Sequence, residues 1–185
     1  TKIWYPVYQY FEEETGRLLI SVGHSALDVD EESDGLATLK SNQGRVEVFA
    51  YYAQGSTHEG KLYNTGVKQG GSGGLSKLWQ YTYTSPPGWS GLVSVQASES
   101  VCRSTGSSNG AVTSYSYLWH GSTPQMSKRT TTLPVIPESE NGRNIEVKTE
   151  EHFDQEGWLT KYVDGKGVAT TYDYDRERGG LIEKI

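Results

Sequence analysis

At 185 residues the chain is long enough to bury a core and fits one domain or two small ones. Its 13 Tyr, 5 Trp and 22 Gly beside a single Met, at 34% hydrophobic residues and a mean hydropathy of -0.63, are the composition of β-strands joined by turns. A net charge of -6 and a pI near 5.2 leave no basic face for nucleic acid, and no apolar run reaches the roughly 18 residues of a membrane helix.

The first residues, "TKIWYPVYQY", lack the basic and apolar regions of a signal peptide. A start at Thr1 without Met suggests a processed product or a piece of something longer. "YQYFEEETGRLL" then gives alternating Tyr8 and Tyr10 and a turn ending at Gly16. The acidic stretch from Ala26 to Ala37 is expected to be irregular. "GRVEVFAYY" is a strand carrying Val46 and Val48, and the stretch from Lys68 to Lys77 has linker composition. In "LWQYTYTS", Trp79, Tyr81 and Tyr83 fall on one face of a strand. The turn "SPPGWSG" leads to a strand with Val93, Val95 and Ala97, and Cys102, the only cysteine, excludes an internal disulfide.

After the turn "SSNGA", the strand "TSYSYLWHG" sets Tyr115, Tyr117 and Trp119 against Ser114, Ser116 and Leu118. "ENGRN" is a further turn, followed by an expected strand with Ile145 and Val147, then "GWLTKYV" and the turn "DGKG". No segment keeps a 3.6-residue period over three turns, so little or no helix is expected. The fold class read from this pattern is all-β, built of antiparallel hairpins, with residues 1–185 as a single module.

A unit recurs along the chain: aromatic-x-aromatic, an acidic or polar turn ending in Gly, then a hydrophobic strand. Its clearest copies occupy residues 8–22, 151–170 and 171–185. One hairpin has too little apolar surface to fold alone, so the next must cover its aromatic face. In such a unit the Asp accepts hydrogen bonds from turn amides and the Gly takes a left-handed backbone angle. With aliphatic residues few, the rings are expected to form the core between hairpins.

The stretch "HFDQEGWLTKYVDGKGVATTYDYDRERGGLIEKI" resembles the RHS or YD repeat family. The matching positions are Phe153, Asp154, Gly157, Leu159, Asp164, Gly167, Thr170, Tyr172, Tyr174, Asp175, Gly179 and Leu181. The middle of the chain is similar to divergent repeats of very large bacterial surface proteins, planctomycete-like ones among them. The resemblance implies a β-spiral or extended sheet, a structural or adhesive role without enzymatic activity, and an extracellular or cell-surface location. The incomplete repeat at each end, a strand in "TKIWYPVYQY" and another in "GGLIEKI", leaves strand edges, so the expected partners are neighbouring repeats or other copies of the chain. The toxin-type members close their shells with an autoproteolysis motif of Pro and paired Asp that this chain does not show. A segment of an extended surface or filament assembly is therefore expected over a toxin cocoon.

Other chemistry finds little support in the residues. The loop from Asp28 to Gly35 is oxygen-rich, but an EF-hand counted from Asp28 needs Gly and Glu where Ser33 and Leu39 stand. No metal site is expected, the nearest candidate being a non-standard calcium loop on Asp28, Asp30 and Asp34. "GWSGL" lacks the last Gly of a nucleophile elbow around Ser90, "QGGSGG" lacks the Lys of a phosphate loop, and His24, His58, His120 and His152 stand apart. No catalytic residue and no cofactor is expected. The alternative function is a carbohydrate-binding β-module, with Trp79, Tyr81, Trp89 and Trp119 stacking on glycans and Tyr83, Tyr115 and Tyr117 beside them.

Overall fold

The computed structural model describes residues 7–29, 37–102 and 110–185. Within them the regular secondary structure is almost entirely strand, as the composition predicts. In chain order these are β1 (Tyr8–Phe11), β2 (Leu18–Val22), β3 (Leu27–Val29), β4 (Ala37–Leu39), β5 (Arg45–Tyr51), β6 (Leu62–Gln69) and β7 (Ser76–Thr84). They continue as β8 (Val95–Val101), β9 (Ala111–Trp119), β10 (Met126–Thr132), β11 (Lys148–Phe153), β12 (Leu159–Val163), β13 (Ala169–Asp175) and β14 (Gly180–Lys184). Two short 3-10 turns, His24–Ala26 and Glu138–Glu140, are the helical content of the described residues.

Where the sequence reads as one module, the chain groups into two compact units. The first comprises Thr1–Gly55, Glu59–Tyr81 and Val101–Gly110, and the second Ser56–His58, Thr82–Ser100 and Ala111–Ile185. In the first unit the hydrogen-bonded strand order is β1-β2-β5-β6-β7, with β3 and β4 forming a separate hairpin. In the second the order is β8-β9-β10-β11-β12-β13-β14. The registered pairs are antiparallel, among them Tyr10 with Ile20, Ile20 with Val48 and Val48 with Gly66 in the first unit. In the second they include Tyr117 with Arg129, Arg129 with Glu151 and Tyr162 with Thr170.

The core corrects the expectation of aromatic packing. The buried apolar residues of the first unit are Val22, Ala26, Leu27 and Val46, with Ile20 and Val48 packed against them. The β3–β4 hairpin makes this core by laying Leu27 against Val22 of β2 and Val46 of β5, while among the described residues no ring of the unit is fully buried and Tyr8, Tyr10 and Phe11 are exposed. The side chains that meet there are aliphatic because β3 and β4 carry no aromatic residue to bring to β2 and β5.

Two stretches expected to be irregular are ordered at their ends. The acidic one begins and finishes in strand, with Leu27 opposite Leu39 and Val29 opposite Ala37. The linker-like glycines form a tight turn docked on another: Gly70 N donates to Gly44 O at 2.9 Å, Gly71 N to Lys40 O at 2.8 Å and Ser72 N to Ser41 O at 2.7 Å. Here Gly is demanded by contact, since a Cβ on Gly70 would lie 2.4 Å from Lys40 O and one on Gly44 2.2 Å from Ala26 N.

Two strand starts also shift. β8 begins at Val95, because the amides of Leu92 and Val93 both donate to Trp89 O at 3.0 Å and close the turn instead. β11 begins at Lys148, after Ile145 and Val147. The preceding loop is held by Asn144, whose φ of 53° is left-handed and whose amide donates to Ile136 O at 2.9 Å.

Candidate functional site

The repeat-motif residues define one turn used several times. In "DQEGW" and "DGKGV" the Asp amide donates to the carbonyl four residues on, Asp154 to Trp158 at 3.0 Å and Asp164 to Val168 at 2.9 Å. The Gly amide donates back to the Asp carbonyl, at 3.1 Å for Gly157 and 2.9 Å for Gly167. Each Asp Oδ1 then accepts two turn amides: Glu156 (3.1 Å) and Trp158 (2.8 Å) at Asp154, Lys166 and Val168 (both 2.8 Å) at Asp164. Gly157 and Gly167 have φ of 88° and 83°, a left-handed conformation that a Cβ would strain.

Asp175 opens a related turn one residue longer. Gly179 N donates to Asp175 O at 2.7 Å, and Asp175 Oδ1 accepts the amides of Glu177 (3.0 Å) and Arg178 (3.1 Å). The Glu12–Arg17 turn has the same closure, Gly16 N to Glu12 O at 2.8 Å with Gly16 at φ 68°. Glu is too long to fold back on its own turn amides as Asp does. The Glu12 carboxylate instead accepts from the Thr15 hydroxyl and pairs with Arg17 at 3.6 Å.

Adjacent turns of the second unit are tied together. Arg176 reaches Asp154 Oδ2 at 2.9 Å and Glu156 Oε2 at 2.7 Å, so one aspartate caps its own turn with Oδ1 and holds its neighbour with Oδ2. Beneath this bridge Trp158 and Tyr174 pack with ring centroids 4.8 Å apart. The Lys184 ammonium lies 5.9 Å from the Tyr172 ring centroid, and the Phe153 carbonyl accepts from His120 Nε2 at 3.1 Å. At the other end of the chain Tyr8 and Tyr10 are exposed on β1.

The residues expected to stack on glycans divide between the units. Trp79 and Tyr81 lie in the first, their rings parallel within 6° at a centroid distance of 6.4 Å. Trp89 and Trp119 lie in the second, where Trp89 Nε1 donates to Ser122 O at 2.9 Å and Trp119 stacks on Tyr117 at 5.6 Å. Tyr83 meets the ring of His58, whose Nδ1 lies 3.0 Å from Ser94 Oγ. Of the calcium candidates Asp28 is exposed on β3, and Asp30 and Asp34 lie outside the described residues. Among the described residues no group of three or more His, Cys, Asp or Glu is arranged to hold a metal ion.

A polar network in the second unit has no counterpart in the sequence reading. Arg129 Nε donates to Glu151 Oε2 at 2.5 Å, Tyr117 OH to Gln96 O at 2.5 Å, and Tyr115 OH to Glu99 Oε1 at 3.2 Å. The hydrogen bond to Glu151 holds the Arg129 guanidinium above its usual range, and burial lifts both tyrosines. On the opposite face Glu150 takes Lys128 at 3.1 Å and His152 at 3.0 Å, and these bonds lower its pKa. Aligning "SKRTTT" against "KTEEHF" as antiparallel neighbours would have set Arg129 opposite Glu151.

No protein-family model matches this chain, and no curated protein does. Among solved structures it is similar to the crystal structure of TcdB2-TccC3-TEV, with a TM-score of 0.49 and 16% identity over 92% of this chain and 8% of that one. It is also similar to a Photorhabdus luminescens Tc holotoxin pore carrying a TccC3 mutation, with a TM-score of 0.47 and 16% identity over 92% of this chain and 8% of that one. The chain thus spans about 8% of the length of the structures it matches. Its fold class, all-β with antiparallel hairpins, rests on its own strands and registers.

Proposed function

We infer that the chain is a structural repeat segment of the RHS or YD kind, without enzymatic activity, serving an extracellular or cell-surface assembly. The observation that supports this reading is the recurrence of one aspartate turn at Asp154 and Asp164, its longer form at Asp175, and the Arg176 bridge that locks neighbouring turns. Hydrogen bonds that serve turns and join one turn to the next are what a stackable unit requires.

The partners are further repeats or other copies of the chain, added at a strand edge. Among the described residues β14 is hydrogen-bonded to β13 alone, and Leu181, Ile182 and Ile185 are 53%, 64% and 74% exposed. Light scattering over a wide concentration range tests the association. Mass rising with concentration in the 185-residue chain, and not after Ile182→Lys, is the expected result. A monodisperse monomer at every concentration would overturn self-association.

A further inference from the structure

Neighbouring turns of the second unit are spaced by its strand register. Lys161 of β12 pairs with Thr171 of β13, and carrying that antiparallel register past the strand ends sets Arg176 opposite Glu156. The two side chains meet there at 2.7 Å. Arg176 follows the acid that opens its turn, Asp175, and Glu156 precedes the glycine that closes its own, Gly157. Opposite charges at two fixed turn positions thus join one hairpin to the next. The same two positions are occupied, with the signs exchanged, at the outermost turns. The β1–β2 turn closes from Gly16 N to Glu12 O as the β13–β14 turn closes from Gly179 N to Asp175 O. Glu13 follows the opening acid of the first, and Arg178 precedes the closing glycine of the second. Glu13 is exposed, and the Arg178 side chain is 87% exposed with its guanidinium 3.8 Å from Asp175.

We propose that copies of the chain associate head to tail, β14 of one lying antiparallel beside β1 of the next, with Arg178 of the first paired to Glu13 of the second. This geometry, which rests on the strand-edge association inferred above, fixes which edges meet and in what register. Among the described residues β1 is hydrogen-bonded to β2 alone, as β14 is to β13 alone, so each strand has an open edge. Antiparallel pairing brings the start of β14 to the end of β1, which sets the β13–β14 turn of one copy beside the acidic β1–β2 turn of the next. With Glu13 opposite Arg178, Tyr10 falls opposite Leu181 and Phe11 opposite Gly180. Tyr10, Phe11 and Leu181 are exposed in the single chain, and cross-strand pairing would cover them. The two edges are different surfaces, so each added copy leaves its own β14 open for another.

The test is sedimentation velocity in low salt on the 185-residue chain, on Glu13→Arg, on Arg178→Glu and on the double variant. The parent is expected to gain mass past the dimer as concentration rises. Each single reversal is expected to need about tenfold more protein for the same mass, because an attraction becomes a repulsion. The two single variants mixed in equal amounts, and the double variant alone, should recover the parent's behaviour, since an acid then stands opposite an arginine at every contact. Recovery in the mixture also shows that both single variants fold. A parent that is monodisperse at every concentration ends strand-edge association and this geometry with it. A parent that associates while either single reversal leaves its mass unchanged, or a loss that neither the mixture nor the double variant recovers, ends this geometry alone.

Discussion

Arg176 and Asp154, separated by 22 residues, meet at 2.9 Å and join two neighbouring turns of the second unit. The same carboxylate accepts the Glu156 and Trp158 amides of its own turn through its other oxygen. Its side chain is 15% exposed while that of Arg176 is 60% exposed, so the bridge has one sheltered and one wet partner. Ion pairs of that kind are worth at most about 1 kcal/mol and weaken with salt. Arg176→Ala is therefore expected to lower stability by less than about 1 kcal/mol in low salt. Urea titrations at low and at molar salt check it, the difference between variant and parent vanishing in the second.

Asp164 separates the cost of a turn from the cost of a bridge, because its Oδ1 accepts the Lys166 and Val168 amides at 2.8 Å and its turn lacks the Arg176 contact. Asp164→Ala should cost about 2 kcal/mol, since hydrogen bonds to a charged acceptor are lost, and Asp164→Asn less. The comparison is made by the denaturation midpoint at constant slope.

Glycine at a left-handed turn and glycine at a close contact should respond differently to the same change. Gly167 has φ 83° and nothing within 4 Å of its missing Cβ, so Gly167→Ala meets backbone strain alone, about 1–2 kcal/mol. Gly44 has φ 76° and would also drive its Cβ to 2.2 Å from Ala26 N, against the buried core. Gly44→Ala should therefore be the more damaging of the two, read as a lower thermal midpoint and loss of the Val22 and Val46 methyl resonances from their folded positions.

Glu150 sets an acid dependence. Its folded pKa lies below the ordinary value of 4.5 because Lys128 and then His152 hydrogen-bond to it. A depressed carboxylate contributes stability above its unfolded pKa and loses it as pH falls through the folded value. The parent chain should thus lose stability below pH 4.5 more steeply than Glu150→Gln, in thermal melts between pH 6 and pH 3.

Much of the β architecture could be read from the residues. The alternation in "TSYSYLWHG" matches β9, where Tyr115, Tyr117 and Trp119 are half-buried and Ser114, Ser116 and Leu118 exposed. The turns were readable because Asp and Gly act locally: a short carboxylate reaches amides two to four residues on, and Gly alone takes positive φ without strain. What depends on distant partners was not. The core on Val22, Ala26, Leu27 and Val46 needs β3 and β4 to fold back over β2 and β5, and these two short strands, with only two apolar residues each, were hidden by the acidic run between them. The glycines at Gly70 and Gly71 look like a linker until the Lys40–Gly44 turn is placed against them. The Arg129–Glu151 pair likewise exists only once strands are in register.

The central claim, that the segment works by adding strands at its edge, is tested most directly at Lys184. Ile185 exchanges both backbone hydrogen bonds with Thr171, at 2.7 and 3.0 Å, so by strand alternation the Lys184 amide points away from β13. Site-resolved hydrogen exchange at low and at high protein concentration should show the Ile185 amide protected throughout, and the Lys184 amide fast when dilute and slowed when concentrated. Exchange at Lys184 that stays fast at every concentration would contradict the account.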